Sequence, residues 1–360
     1  MTEFFFEYGL FAAKLATFVV AILLVVLVSV GTAMRVKQSK KGHIETSKIN
    51  DEIEDMRFAL DAGVSDPETF KLHMKQMQKE KKLERKAQKK ALKLAVKGGA
   101  GDDTEAQQKP RVFVLNFKGD LRAQAVAGLR QEITAVLSMA QPCDEVVLRL
   151  ESPGGMVHAY GLASSQLQRI KDHGINLTVC VDKVAASGGY MMACVANKIL
   201  AAPFAIIGSI GVVAQMPNFN RLMKKHDIDF ELITAGEHKR TLTMLGENTE
   251  QGREKFVEEI EDVHRLFKQF IVEHRPELDI EKVATGEHWF GQRALGQGLV
   301  DELTTSDEYI TQACGTADVF EVKYVQKKRL PERMGIAAQE SVDALLMRWW
   351  ERGTLSRFFS

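Results

Sequence analysis

The stretch EVVLRLESPGG, residues 145–155, is an apolar, β-rich run that stops abruptly on serine, proline and two glycines. Branched apolar residues over this length predict a strand, and Ser152-Pro153-Gly154-Gly155 predicts the turn that ends it. The pattern returns at 176–190, where NLTVCV leads shortly into AASGGY, and again where a short apolar run meets GSIGV at 208–212. RVFVLNF at 111–117, KILAAP at 198–203 and IDFELIT at 228–234 are further strand-like runs. Helical stretches lie between several of them, including 123–139 and 159–171. Strands alternating with helices predict an α/β fold with largely parallel pairing. In such folds ligands gather beyond the carboxyl ends of the strands, where these glycine turns lie.

Upstream the composition changes. GGAGDDTEAQQKP, residues 98–110, is poor in hydrophobics and rich in turn residues, and predicts a linker. Before it, residues 35–97 read as a helical arm. Ile49, Ile53, Met56 and Leu60 recur at helical spacing, and Asp66-Pro67-Glu68 is a helix start leading into a run rich in Lys and Arg. A solvated helical spacer and a contact for lipid headgroups or a partner both suit that basic run. Leu15–Met34 holds no charged residue and, at about 1.5 Å per residue, spans roughly the 30 Å hydrocarbon core. Phe4, Phe5, Phe6, Tyr8 and Phe11 precede it as an interfacial belt would. Residues 1–34 are thus expected to be a retained membrane anchor. Gly31 and Ala33 resemble a cleavage site, but Glu3 and Glu7 replace a basic leader. The main folded domain is expected over 111–325. The tail 326–360 includes an amphipathic stretch at 344–359 that suits a membrane, a partner, a neighbouring subunit or the protomer's own core.

The 360 residues are 45% hydrophobic, enough for a sizeable core, and 48 Lys+Arg balance 48 Asp+Glu. That balance gives no general bias toward nucleic acid or an acidic substrate. Cys143, Cys180, Cys194 and Cys314 are widely separated, form no metal-binding pattern, and are expected to be buried thiols. No phosphate loop or H-E-x-x-H motif appears, so no cofactor or metal is expected. The glycine-rich stretch at 184–213 is apolar enough to suggest a second span, but Lys198, Pro203 and its glycines favour buried core segments.

Ser187 lies at a glycine turn just before the apolar run 190–195, which reads as a helix with its positive end toward the serine. Read alone, a small residue among alanines and glycines also suits a tightly packed turn. Combination and order carry more. ESPGG, AASGGY, GSIGV, ITAGEHKRT at 233–241 and GEHWFGQRALGQGLVDEL at 286–303 resemble, in that order, the signal peptide peptidase A family. The likeness covers roughly 111–303 with no departure at the motif positions.

The resemblance implies a spiral fold of the Clp-protease/crotonase type and a membrane-bound serine endopeptidase using a Ser-Lys dyad. It implies Ser187 as nucleophile, Lys239 as general base, and oxyanion N–H groups from Gly155 and Gly188. Less directly, it implies that Ser209 assists the lysine. The substrates implied are unstructured peptides or signal-peptide remnants near the lipid bilayer, and the assembly is a ring-like homo-oligomer with no nucleic-acid partner. Family behaviour puts the protease domain on the periplasmic side of a bacterial inner membrane. Arg35, Lys37, Lys40 and Lys41 after the span argue instead for the cytoplasm. Lysine acts as a base only when its charged form is disfavoured, so the resemblance also implies that Lys239 is desolvated in the assembled enzyme.

His158, His226 and His238 are rival bases, since triads are defined by geometry rather than spacing. Read as a strand, 238–239 would point His238 and Lys239 to opposite faces. Glu151, Asp182 and Asp301 are read as turn and packing residues. Two other functions suit the same features: a crotonase-like acyl-CoA enzyme without a serine nucleophile, and a non-proteolytic membrane scaffold.

Overall fold

The computed structural model describes residues 42–66, 68–76, 109–236 and 238–326, with isolated positions at 17, 79, 82, 83 and 86. The expected span at 15–34 (apart from residue 17), the linker up to residue 108, most of the basic run and the C-terminal tail lie outside the described residues. Among the described residues no helix is long and apolar enough to cross a membrane. The chain divides into two units, one of residues 1–43 with 325–360 and one of residues 44–324. The second carries the fold and the site.

Among the described residues its main sheet has seven strands. In chain order they are β1 (His43–Lys48), β2 (Arg111–Lys118), β3 (Glu145–Glu151), β4 (Asn176–Val181), β6 (Lys198–Ala201), β9 (Glu302–Leu303) and β10 (Asp318–Val325). They lie side by side as β1-β10-β2-β3-β4-β6-β9. From β10 to β9 every pairing is parallel. A smaller sheet holds β5 (Val184–Ala186), β7 (Ile206–Gly208) and β8 (His288–Phe290), with β5 parallel to β7 and β8 antiparallel to it. β4 and β6 in the large sheet are each followed at once by a strand in the small one. The two sheets meet at a bridge between Ser152 and Ala185. The protein is therefore a mixed α/β fold built on a large parallel sheet.

Both faces of the large sheet are covered, which is why its central strands read as almost unbroken apolar runs. Helices α2 (Val126–Leu137), α3 (Val157–Asp172) and α4 (Gly188–Ala193) bury Leu129, Ile133, Leu167, Ile170 and Met192 against one face. On the other, Ile310 of α9 (Ser306–Thr316) packs with Val114, Val147 and Cys180, and Ile49 adds to its margin. Thr305 caps α9, accepting from the Glu308 N–H at 3.3 Å. Short helices α5 (Asn220–Lys225), α7 (Ile280–Val283) and α8 (Gly291–Gly296) mark the remaining turns. The long helix α6 (Glu250–His274) starts at a Thr249 cap and buries Phe267 and Ile271 in the core.

The arm and the α/β core are joined more closely than a linker suggests. α1 (Ile49–Val64) has no fully buried residue, yet Asn50 near its start is shared three ways. Its amide donates to the Cys314 and Ala317 carbonyls at 3.1 and 3.0 Å, and its carbonyl accepts from Val319 N–H at 2.7 Å. Lys48 adds an ion pair to Asp318 at 2.9 Å. Asp66 accepts from the Glu68 and Thr69 N–H groups at 3.0 and 3.1 Å, as its helix-start pattern predicts.

Two expectations need correction. IDFELIT is not a strand: residues 228–234 join no sheet among the described residues, and Ile228, Phe230, Leu232 and Ile233 are exposed. β-branched and aromatic residues suit a ladder but cannot make one without a partner strand. Cys143 is exposed, because it sits in the turn before β3, whereas Cys180 and Cys194 are buried. The apolar stretch 184–213 resolves into β5, α4, β6 and β7, core elements of the fold.

Candidate active site

The site forms where strand ends meet. Ser187 follows β5 and stands at φ 50°, ψ −117°, a conformation that non-glycine residues rarely hold. It is kept there by its surroundings: its N–H donates to the Gly208 carbonyl at 2.7 Å, and its carbonyl accepts from Met191 N–H at 3.0 Å. Ser209, just after β7, has φ 49° and donates its N–H to the Glu287 carbonyl at 2.7 Å. Such strain costs on the order of 1–3 kcal/mol per residue and clusters at functional sites.

The ESPGG turn closes against this pair. Gly154 has φ +88°, and a Cβ there would stand 2.7–2.8 Å from the Ala186 carbonyl, Gly188 N and Ser187 Cβ. Only a glycine lets the two turns approach so closely. A Cβ on Gly155 would meet the Leu121 carbonyl oxygen, and one on Gly188 the Tyr160 ring.

Ser187, Ser209, Gly155 and Gly188 all line one cleft of about 780 Å³. Leu121, Met156, Val157, Met191, Val263 and Phe267 supply much of its apolar wall, and among the described residues no acidic, basic or histidine side chain lines it. Among the described residues, neither the Gly155 nor the Gly188 N–H finds a protein acceptor. α4 is only six residues long, so what it offers an oxyanion is the Gly188 N–H rather than a sizeable dipole.

Lys239 is not brought to these residues. It lies exposed in a bend, with its N–H on the Gly236 carbonyl at 3.2 Å, and does not line the cleft. His238 and Lys239 therefore do not alternate along a strand. The segment that carries them is pinned at its ends: Asn218 donates to the Thr243 and Gly246 carbonyls at 2.8 and 3.0 Å, and Asn248 accepts from Thr243 N–H at 2.8 Å.

His158, His226 and His238 are exposed, and none hydrogen-bonds the Ser187 hydroxyl, which has no partner among the described residues. The three carboxylates have structural partners. Glu151 accepts from Lys183 at 3.1 Å, which holds its pKa below the usual range. Asp182 accepts both the Ser306 N–H and hydroxyl at 2.8 and 2.6 Å. Asp301 is clamped by Arg275 at 2.6 and 2.9 Å. Among the described residues no group of His, Cys, Asp and Glu is arranged to hold a metal.

Sequence reading missed Val263 and Phe267, the contribution of α6 to the cleft wall. They look like any apolar stripe on a long helix, and only the return of that helix over the sheet brings them to the site.

Comparisons with known proteins give the family. Residues 3–167 match the model for Peptidase family S49 N-terminal, and residues 169–319 match that for Peptidase family S49. The chain is 52% identical over 346 residues to Probable protease SohB of Haemophilus influenzae, covering 95% of each chain. It is 55% identical over 240 residues to Probable protease SohB of Buchnera aphidicola subsp. Acyrthosiphon pisum, covering 67% of this chain and 71% of that one. Over 349 residues it is 42% identical to Putative protease SohB of Buchnera aphidicola subsp. Baizongia pistaciae, covering 96% of this chain and 98% of that one. With a strained serine, glycine amides and an apolar cleft in place, and with relatives of this identity over nearly the whole length, the chain belongs to peptidase family S49.

Proposed function

We propose that the protein is a membrane-bound serine endopeptidase that cuts peptides through an acyl-enzyme on Ser187, with Lys239 as its general base. One observation carries the reading. Ser187 is held in a strained turn and lines one cleft with the Gly155 and Gly188 N–H groups, which have no acceptor among the described residues. Attack of the Ser187 hydroxyl on a peptide carbonyl places negative charge on its oxygen, and Gly155 and Gly188 N–H groups stabilise that charge where it develops. The base takes the hydroxyl proton and returns it to the leaving amine; water then releases the acyl group. The apolar wall suits apolar side chains of extended peptides, including remnants of signal peptides.

Among the described residues the cleft lining holds no base, and in this reading Lys239 comes to it on its exposed segment. Ile233, 91% exposed on that segment, is an apolar side chain a neighbouring subunit would cover. A ring-like homo-oligomer is accordingly part of the reading. So is a spiral fold of the Clp-protease/crotonase type, supported by the successive strands split between two sheets. A span at 15–34 would anchor the protein in a bacterial inner membrane, with the catalytic domain in the periplasm.

The test is hydrolysis of casein and fluorogenic peptides by detergent-purified full-length protein. Ser187→Ala and Lys239→Ala are expected to lose turnover with unchanged oligomer mass. Full activity in both would refute the dyad. Retained turnover of an acyl-CoA by Ser187→Ala would favour acyl-CoA chemistry, and complementation of a deletion by inactive Ser187→Ala a scaffold.

A further inference from the structure

Behind the cleft, Ser152 and Tyr160 are both fully buried and share one short hydrogen-bond chain. The Tyr160 hydroxyl donates to the Asp120 carbonyl at 2.8 Å. A phenol has one proton, so the 2.6 Å contact between Tyr160 and Ser152 must be donated by Ser152. The Ser152 oxygen is left to accept, and it takes the Gly154 N–H at 3.1 Å. The chain is thus directional, running from the Gly154 N–H through two hydroxyls to the Asp120 carbonyl.

We propose that Ser152 and Tyr160 are positioning residues that set both donors of the oxyanion hole at once. On one side, Ser152 fastens the Gly154 N–H inward, which fixes the plane of the turn and leaves the neighbouring Gly155 N–H to face the cleft. On the other, the Tyr160 ring lies flush against Gly188: a Cβ there would stand 2.5 Å from the ring carbon Cγ. The far end of the chain is tied to the same place. Asp120 adjoins Leu121, whose carbonyl accepts from Met156 N–H at 2.9 Å and leaves no room for a Cβ on Gly155. A Cβ on Gly119 would fall on both hydroxyls, so this loop too is cut to accommodate the pair. One buried pair therefore relates two glycines that are distant in sequence and must act on a single oxygen atom. Donors that are fixed in advance are worth most to catalysis.

The inference rests on the reading of Ser187 as nucleophile, and the test separates the two. Full-length wild type, Tyr160→Phe, Ser152→Ala and Ser187→Ala are purified in detergent. Intact sites are counted with a serine-reactive fluorophosphonate, and peptide hydrolysis is measured per labelled site. Tyr160→Phe keeps the ring on Gly188 and removes only the hydroxyl. Expected for Tyr160→Phe and Ser152→Ala is a fall in kcat of about 10- to 100-fold with KM nearly unchanged. A peptide boronate, which mimics the tetrahedral state, should lose affinity in parallel. Wild-type kcat per labelled site in Tyr160→Phe, or a change in KM alone, would overturn the proposal even where Ser152→Ala fails to fold. Should Tyr160→Phe itself fail to fold, kcat in Ser152→Ala decides by the same criterion. If both fail to fold, the pair is structural and the proposal falls. Full activity in Ser187→Ala would instead remove the nucleophile reading, whatever the other variants do.

Discussion

The N–H of Ser187 donates to the carbonyl of Gly208 across 2.7 Å, so the two strained serine turns, at 187 and 209, are one hydrogen-bonded unit. Gly208 itself has φ +102°, and a Cβ on it would stand 2.8 Å from the Trp289 ring. Gly208→Ala therefore has both a forbidden backbone and a clash. It should destabilise the protein by about 1–3 kcal/mol and lower kcat at least tenfold by shifting Ser187. Thermal denaturation and peptide kinetics check this; wild-type values in both would show that the turn has slack it does not display.

Arg275 and Asp301 tie the end of α6 to the loop before β9, and Asp301 also accepts from the Ile199 N–H at 2.7 Å. Burial pushes the Asp301 carboxyl up, but Arg275 and that amide outweigh it and hold the pKa below the ordinary value of 3.8. A depressed carboxylate pKa adds stability that is complete above its unfolded value and is lost as pH falls through the folded one. Asp301→Asn should cost about 1–3 kcal/mol at neutral pH, below the range for a fully buried pair because Asp301 is part-exposed. The deficit should shrink below about pH 4. Denaturant titrations at pH 7 and pH 3 measure it, and an equal deficit at both would exclude the ion pair as its source.

Glu132 behaves in the opposite sense. It is buried in α2 and accepts from Tyr324 N–H at 2.8 Å, and burial raises its pKa above 4.5. An acid whose folded pKa is raised binds its proton more tightly in the folded state, so stability falls as pH rises through the interval between the two values. Glu132→Gln keeps a carbonyl for Tyr324 and removes the charge. Its Tm should exceed wild type at pH 8, with the difference vanishing toward pH 4. A lower Tm at pH 8 would mean that the charge itself is stabilising.

Asn50 fastens the arm through three backbone groups of the catalytic unit. Asn50→Ala leaves those groups without their partner and should cost about 2–3 kcal/mol. Hydrogen exchange should quicken in α1 and at Val319 more than in β3 or β4. Uniform quickening would place the loss in the core instead.

The glycine turns and the central strands were legible in the sequence because their causes are local. EVVLRL is apolar on both faces because both faces are covered, and ESPGG and AASGGY carry the small residues a sharp turn needs. The motif order led to Ser187, Gly155, Gly188 and Ser209, which the fold gathers into one cleft. IDFELIT misled because a run of β-formers specifies only a preference, while a strand needs a neighbour to accept its hydrogen bonds.

The amino-acid sequence by itself determined the alternation of strands and helices and the three glycine turns, since each follows from residues a few positions apart, and the candidate nucleophile came from the order in which those motifs run along the chain. Tertiary structure alone decided which turns touch, that α6 walls the cleft, that Asn50 stitches the arm to the sheet, and that Ser152 and Tyr160 stand behind the oxyanion glycines. It also left Lys239 away from Ser187. Those relationships join residues tens to hundreds of positions apart, and close packing and hydrogen-bond pairing at such separations come into being only when the chain folds.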